Sequence, residues 1–329
     1  MEVTNHGETL ISNPYSWNLG KIVDQVSIGF DHTLFLIQNE NSIYAQGMGK
    51  QGELGLGLTT KGMINILFFS WNSHKNSLWI WFKHKVRKFL WCRRSIKAGV
   101  KRSFAITTDH KIYGWGKTDF AKKLLEPTHI PDLDPYYITS IKCGFKHTWF
   151  ISRDKDDVIQ SLVSSGNNKK LQLGNSSSSE NIESRDTLLK ELKNNELEIV
   201  DLQVCWNNTV LLCSEGGKAV LLISGDTKYG KIDTQVDTQP YGGELCSFYK
   251  KSLQFLEDQQ VGVKKLMSMN ESFFLLTTKN DLYGWGWNEH GNLSMDSTHD
   301  LSQPKFICKA AEVYGNGAYT ILKTEVNDG

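Results

Sequence analysis

The 329-residue sequence has no Cys-x-x-Cys pair and no apolar run approaching the roughly 18 residues that a membrane span requires. Its six cysteines, Cys92, Cys143, Cys205, Cys213, Cys246 and Cys308, are scattered. That scatter argues against a zinc ribbon, a thioredoxin-type site and a secreted disulfide framework, and it points to a reducing compartment. No signal peptide is expected from Met1-Glu-Val-Thr-Asn-His-Gly, which is polar and acidic where a signal peptide would be basic and then apolar. These absences predict a soluble cytoplasmic protein, with the nucleus as a second location, and no membrane partner.

Enzyme signatures are missing as well. There is no Gly-x-Ser-x-Gly elbow, no P-loop, no His-Glu-x-x-His and no repeated ligand spacing among the nine His and six Cys. The sequence therefore predicts no catalytic residue, no cofactor and no metal. Gly47-Met-Gly-Lys-Gln-Gly52 carries the letters of a dinucleotide fingerprint, but Leu54-Gly-Leu-Gly-Leu58 behind it cannot open the helix that motif needs.

The net charge of +1 hides an uneven distribution. No acidic residue lies between Glu53 and Asp109, while eleven of the 37 basic residues do, from Lys61 to Arg102. The remainder carries 26 basic groups against all 36 acidic ones, a net of −10. The same block holds four of the ten Trp. A basic, aromatic block beside an acidic body reads as a solvated insertion or as a nucleic-acid patch over Lys75–Arg102, and the insertion is preferred, so no nucleic-acid partner is expected.

One pattern recurs through the chain: an apolar stretch, a Gly, polar residues often ending in His-Thr or Ser, an apolar strand, a polar turn and a second strand ending in Gly. Its anchors fall at Gly29, Gly99, Gly144, Cys205, Met269 and Gly315, with intervals of 70, 45, 61, 64 and 46. Lengths near 45 with loop insertions suit four-stranded propeller blades. The turns Thr108-Asp109-His110-Lys111 and Lys279-Asn280-Asp281 between alternating apolar runs follow hairpin grammar. Helical periodicity is confined to a turn or two in Asp186–Glu198, after a loop tip at Ser176–Ser179. The fold expected is an all-β, seven-bladed β-propeller over residues 26–322, with six blades as the alternative. Residues 58–95 form a degenerate blade or insertion, residues 1–25 a segment with a candidate ring-closing strand at Tyr15-Ser-Trp17, and residues 323–329 an acidic tail.

The repeat residues read as architecture. Gly29, Gly47, Gly99, Gly116, Gly144 and Gly286 sit at strand ends, where positive φ or close backbone approach is needed. His32 and His147 occupy one repeat position, as side chains that hydrogen-bond a neighbouring strand would, and Trp115 and Trp285 suit blade interiors. Trp287 differs: it enters a loop with Asn288, Glu289 and His290, and these four are the candidate partner-binding residues.

Tyr283-Gly-Trp-Gly-Trp-Asn-Glu-His-Gly-Asn-Leu293 and Gly47-Met-Gly-Lys-Gln-Gly-Glu-Leu-Gly55 resemble the repeat of the regulator of chromosome condensation propellers. The likeness runs from Val26 to Leu322 and is absent over Leu58–Ser95. The last full copy is most similar to the branch typified by the yeast alpha-tubulin suppressor and the animal secretion-regulating guanine nucleotide exchange factor. That resemblance implies a non-catalytic partner protein, monomeric on its own. Its partner would be the small zinc-containing electron carrier of diphthamide synthesis, linking it to diphthamide formation and Elongator-dependent tRNA wobble-uridine modification. The alternative it implies is nucleotide exchange on a small GTPase.

Overall fold

The computed structural model describes residues 2–3, 9–11, 17–18, 23–37, 42–60, 63–72, 77–81, 95–118, 120, 123–175, 181–237, 243, 247–293, 297–316 and 319–323. They fall into two compact units, Met1–Ile141 and Lys142–Gly329.

In the first unit, strands β1 (Glu2–Val3), β2 (Thr9–Ile11) and β3 (Trp17–Asn18) make a small antiparallel sheet. The first blade follows as β4 (Gln25–Ile28), β5 (His32–Ile37), β6 (Ser42–Met48), β7 (Met63–Asn72) and β8 (Ser77–Trp81), hydrogen-bonded in that order. The second is β9 (Ser95–Ala98), β10 (Arg102–Ile106), β11 (Ile112–Gly116) and β12 (Leu124–His129). The unit boundary falls within β13 (Ser140–Cys143), which opens a third blade continued by β14 (His147–Arg153), β15 (Ile159–Gly166) and β16 (Glu183–Ser184). The second unit adds a fourth blade of β17 (Leu197–Val204), β18 (Asn208–Glu215), β19 (Lys218–Gly225) and β20 (Phe248–Ser252). Its fifth is β21 (Val263–Ser268), β22 (Ser272–Thr277), β23 (Asp281–Gly286) and β24 (Leu301–Lys309), followed by a hairpin of β25 (Glu312–Asn316) and β26 (Tyr319–Lys323).

Five blades are thus present among the described residues, where the repeat spacing predicts seven or six. Leu58–Ser95 accounts for part of the difference. It contributes β7, which pairs with β6 from Met48↔Met63 to Ile43↔Phe69, and β8 beyond it. A stretch long enough for a blade is here the outer part of the first one. Residues 82–94, with most of the basic block, lie outside the described residues, as do Ser176–Ser179, Tyr15, Ser16 and residues 324–329. Arg102, at the end of the block, is 2% exposed.

The second strand of each blade is buried along its whole length from its first residue to its fifth, Thr33 excepted. Alternate side chains of such a strand leave on opposite faces, so both faces must be covered. In the first unit Leu34 and Leu36 pack with Ile96, Ala98, Ala105 and Trp115 of the second blade, while Phe35 and Ile37 pack on the other face with Tyr44. In the second unit Leu211, Cys213 and Leu222 of the fourth blade share a core with Trp149, Ile151 and Leu162 of the third. Val210, Leu212 and Leu221 face Phe273, Leu275 and Trp285 of the fifth. Blade-to-blade packing is the core. The helical turns expected near Asp186 are α1 (Asp186–Asn194), whose Leu188 and Leu192 join the third-to-fourth core; a shorter helix, α2 (Gln254–Asp258), buries Leu256.

One register is common to all five blades. The residue three after each anchor stands opposite the glycine ending the third strand: His32↔Gly47, Arg102↔Gly116, His147↔Gly166, Asn208↔Gly225 and Ser272↔Gly286. Each of these glycines has φ between 87° and 117°. The next amide then donates to the carbonyl of the first turn: Met48 N to Asp31 O at 2.7 Å, Lys117 N to Lys101 O at 2.7 Å, Asn167 N to Lys146 O at 2.7 Å, Asp226 N to Asn207 O at 3.1 Å, and Trp287 N to Glu271 O at 2.9 Å. A side chain on Gly47 or Gly225 would overlap that carbonyl, and the φ itself is unfavourable for any L residue. The turn after the first strand and the loop after the third are thereby held at one end of every blade.

Candidate functional site

The repeated histidines are inter-blade ties. His32 Nε2 meets Ser103 Oγ of the next blade at 2.7 Å, and that hydroxyl donates to Glu53 O at 2.8 Å. Trp115 Nε1 donates to the same carbonyl at 2.7 Å. In the second unit His147 Nε2 lies 3.5 Å from Thr209 Oγ1, which donates to Gln172 O at 2.6 Å, and Trp149 Nε1 donates to Thr209 Oγ1 at 2.9 Å. Burial holds the His32 ring neutral, lowering its pKa from 6.5 to about 4. The anchor glycines make room for this ring and for the next blade's backbone: a Cβ on Gly29 would overlap Gly99 O and lie 2.8 Å from His32 Cε1, and one on Gly144 would overlap the His147 ring and reach 2.7 Å from Cys205 O. Where Asn208 and Ser272 replace the histidine, the anchors are Cys205 and Met269.

Trp115 and Trp285 are 1% and 0% exposed. The loop after β23 brings the four candidate partner-binding residues together but gives them different tasks. Asn288 is fully buried, correcting its reading as a surface contact: its Oδ1 accepts from Leu293 N at 2.9 Å, and its Nδ2 donates to Ser297 O at 2.6 Å. Asn168 does the same in the third blade, accepting from Leu173 N at 2.8 Å and donating to Asn175 O at 2.7 Å. Asn288 shapes the loop; Trp287, Glu289 and His290 are its accessible members. Trp287 is half-buried, donates from Nε1 to Glu289 Oε2 at 3.2 Å, and meets the His290 ring edge-on at 5.1 Å.

Three further aromatics extend this surface, and the one-dimensional sequence did not single them out. Tyr229, at φ 62° and 39% exposed, lies 6.3 Å from the Trp287 ring. Phe145 and Trp206, each the residue after its anchor, meet with ring centres 5.3 Å apart and planes tilted by 37°. Main-chain bonds chain their turns together, Phe145 N to Trp206 O at 2.9 Å and Trp206 N to Asn270 O at 2.6 Å. Beneath Tyr229, Lys231 is 0% exposed, ion-paired with Glu271, and its Nζ is 5.4 Å from the Tyr229 ring centre. Burial raises the Glu271 carboxyl while the Lys231 charge opposes that shift. A second buried pair joins Lys251 Nζ to Asp237 Oδ2 at 2.7 Å. Only their shared position one residue before Leu54, Leu173 and Ile232 links Glu53, Gln172 and Lys231, all buried.

Burial pushes the Cys205 and Cys213 thiols up to about 12, so neither supplies a thiolate near neutral pH. Among the described residues no group of His, Cys, Asp and Glu could hold a metal ion. What the face offers is rigid, partly exposed aromatic side chains on loops tied to a scaffold, the material of an interface.

Blades of this register, joined face to face, define a β-propeller. By comparison the chain is similar to RCC1-repeat proteins and shares the propeller fold of yeast RCC1. No protein-family model matches it. The ultraviolet-B receptor UVR8 of Arabidopsis thaliana is 22% identical over 313 residues, covering 93% of this chain and 62% of that protein. An RCC1 domain-containing protein of Dictyostelium discoideum is 23% identical over 263 residues, covering 66% and 48%. This chain therefore spans about half to two-thirds of the length of these curated relatives. Yeast RCC1 (Prp20), solved bound to Kap60, superposes with a TM-score of 0.62 at 14% identity, covering 90% of this chain and 66% of that one. The same protein from Saccharomyces cerevisiae, solved with its binding properties to Gsp1p and histones, gives 0.53 at 14% identity, covering 88% and 78%.

Proposed function

We propose that this chain is a non-catalytic protein-interaction propeller whose partner is the small zinc-containing electron carrier of diphthamide synthesis. Through that partner it supports diphthamide formation and Elongator-dependent tRNA wobble-uridine modification. The observation that carries the interaction reading is the half-buried Trp287, flanked by Glu289, His290 and Tyr229 on a loop fixed from inside by Asn288. Aromatic anchors on a preformed loop lose little entropy on binding. The choice of partner follows the resemblance of Gly284-Trp-Gly-Trp-Asn-Glu-His-Gly291 to the alpha-tubulin suppressor branch. This reading places the chain in the cytoplasm and nucleus, and keeps seven blades by counting the β1–β3 sheet and the β25–β26 hairpin as reduced ones.

A second reading is nucleotide exchange on a small GTPase, favoured by the fold shared with Prp20, for which binding to Gsp1p is described. Co-purification from cells with mass spectrometry separates the two. Recovery of the zinc carrier supports the first and recovery of a GTPase the second. Trp287→Ala with Glu289→Ala is expected to lose the carrier at an unchanged melting temperature, and full capture by that variant refutes the placement.

A further inference from the structure

The end of the second blade away from Gly99 and Gly116 is formed by the turn 107–111, between β10 and β11, and by the chain that follows β12. There a 3-10 helix, Pro131–Tyr136, is stiffened by Pro131 and Pro135 and pinned by Leu133, which is fully buried. It delivers Tyr137 at φ 48° and ψ 52°, left-handed values that a bulky side chain rarely adopts. Yet this residue is 66% exposed, more than any other large hydrophobic residue among those described. Its ring neighbour is His110, which meets it edge-on at 5.7 Å and is itself at φ 62°. Packing does not account for a strained residue that buries so little of its ring.

Two carboxylates converge beside it. Burial raises the pKa of the Tyr113 hydroxyl, and the charges of Asp109 on the turn and Asp134 on the 3-10 helix add to that shift. Acids on two separate segments therefore face one tyrosine. Asp134 Oδ1 lies 2.8 Å from His129 Nε2, and the His129 and Tyr113 ring centres are 5.4 Å apart. Asp109 holds Lys111 at 3.5 Å, with side chains 59% and 48% exposed. Asp132 is exposed on the 3-10 helix. With histidine counted as neutral, residues 107–113 and 129–137 carry three carboxylates, Asp109, Asp132 and Asp134, against the single ammonium of Lys111.

We propose that this cluster docks an arginine of an extended partner-protein segment, with the guanidinium between Asp109 and Asp134 and beside the Tyr137 ring. The surplus of carboxylates selects a cation. A planar guanidinium can bond carboxylates along its edge while its face lies on a tyrosine. Lys111 yields its place, because a half-exposed pair at 3.5 Å is weak. Nucleic acid is repelled by the same carboxylates. The surface lies wholly in the first unit and uses none of Trp287, Glu289, His290 or Tyr229, so it goes beyond the proposed function and does not depend on it.

The test is fluorescence anisotropy with three labelled peptides of one Gly/Ser/Leu sequence that carry two arginines, two glutamines or two glutamates. The arginine peptide is expected to bind, less tightly as salt is raised, and the other two to bind about tenfold or more weakly. Asp109→Asn with Asp134→Asn is expected to lose about tenfold or more in affinity for the arginine peptide. Should that variant melt early because His129 loses its partner, Asp109→Asn with Asp132→Asn replaces it, with a loss of about threefold or more expected. Tyr137→Gly separates docking from packing. Glycine takes the left-handed backbone without strain, so this variant is expected to melt no lower than wild type while affinity falls about threefold to tenfold. Trp287→Ala with Glu289→Ala is expected to bind the arginine peptide as wild type does, whatever becomes of carrier capture. No binding of the arginine peptide, equal binding of its glutamine counterpart, undiminished binding by the Asn or Gly variants, or a marked fall in the melting temperature of Tyr137→Gly overturns the proposal.

Discussion

Two blade junctions, one in each unit, meet the same geometric need with opposite chemistry. Between the first and second blades the tie is neutral: a buried imidazole, a serine hydroxyl and the Glu53 carbonyl hydrogen-bond in sequence. Between the fourth and fifth, the residue in the place of Glu53 is Lys231, and it pairs with Glu271, two residues after the Met269 anchor. A neutral relay avoids desolvating charge but is exposed to mild acid through its histidine. An ion pair tolerates mild acid yet leaves a costly charge behind whenever one member is lost. The repeat therefore fixes where a tie must be, and leaves open which physics supplies it.

The comparison is broken most forcefully at the ion pair. Glu271→Ala is expected to cost about 3–5 kcal/mol in urea unfolding, because it strands a buried ammonium. Replacing both, Lys231→Met with Glu271→Leu, is expected to recover most of that loss; a double variant no better than the single would show that the pair is not the source.

The next effect is one of pH. His32 titrates at about 4 in the folded chain and near 6.5 when unfolded, so between those values the unfolded chain binds a proton that the folded chain refuses. The stabilisation is complete above pH 6.5 and is lost as pH falls toward 4, by up to about 3 kcal/mol from this one group. His32→Gln is expected to flatten the stability profile in that window, measured against wild type in the same buffers. Smaller again is Gly144→Ala, expected to cost about 2 kcal/mol through overlap with the His147 ring. Adding His147→Asn, which reproduces the character of the fourth blade, recovers part of it. Smallest is Ser103→Ala, which removes a single hydroxyl tie and is expected to cost about 1 kcal/mol. A Ser103→Ala loss as large as that of Glu271→Ala would erase the distinction between the junctions.

The repeat anchors were legible because they mark backbone constraints. Those at 29, 99, 144, 205 and 269 each directly follow the first strand of a blade, and the one at 315 lies in β25. Cys205 and Met269 are the anchors where Asn208 and Ser272 replace the histidine, while Gly99 is kept before Arg102. Other features had no local signal. Lys231 and Glu271 are 40 positions apart, so nothing in either neighbourhood announces their pairing. The basic, tryptophan-rich composition of Leu58–Ser95 hid an outer strand that pairs antiparallel with β6, with a register shift between Ala45 and Gly47. Asn288 stood among surface-type neighbours and proved to be the pin of its loop, which only the repeat of that role at Asn168 makes recognisable. Trp287 and its two exposed companions were readable from their place after the strand-end glycine, whereas Tyr229, Phe145 and Trp206 join them only through adjacency of blades.

The amide-to-carbonyl bond repeated at Met48, Lys117, Asn167, Asp226 and Trp287 involves main-chain atoms alone. The residues whose carbonyls accept it are Asp31, Lys101, Lys146, Asn207 and Glu271, five positions of four different side-chain types. Glu271 apart, whose side chain also holds Lys231, mutation can therefore rewrite those tips without touching this bond, so a lineage keeping this scaffold is free to change its associates far faster than its shape.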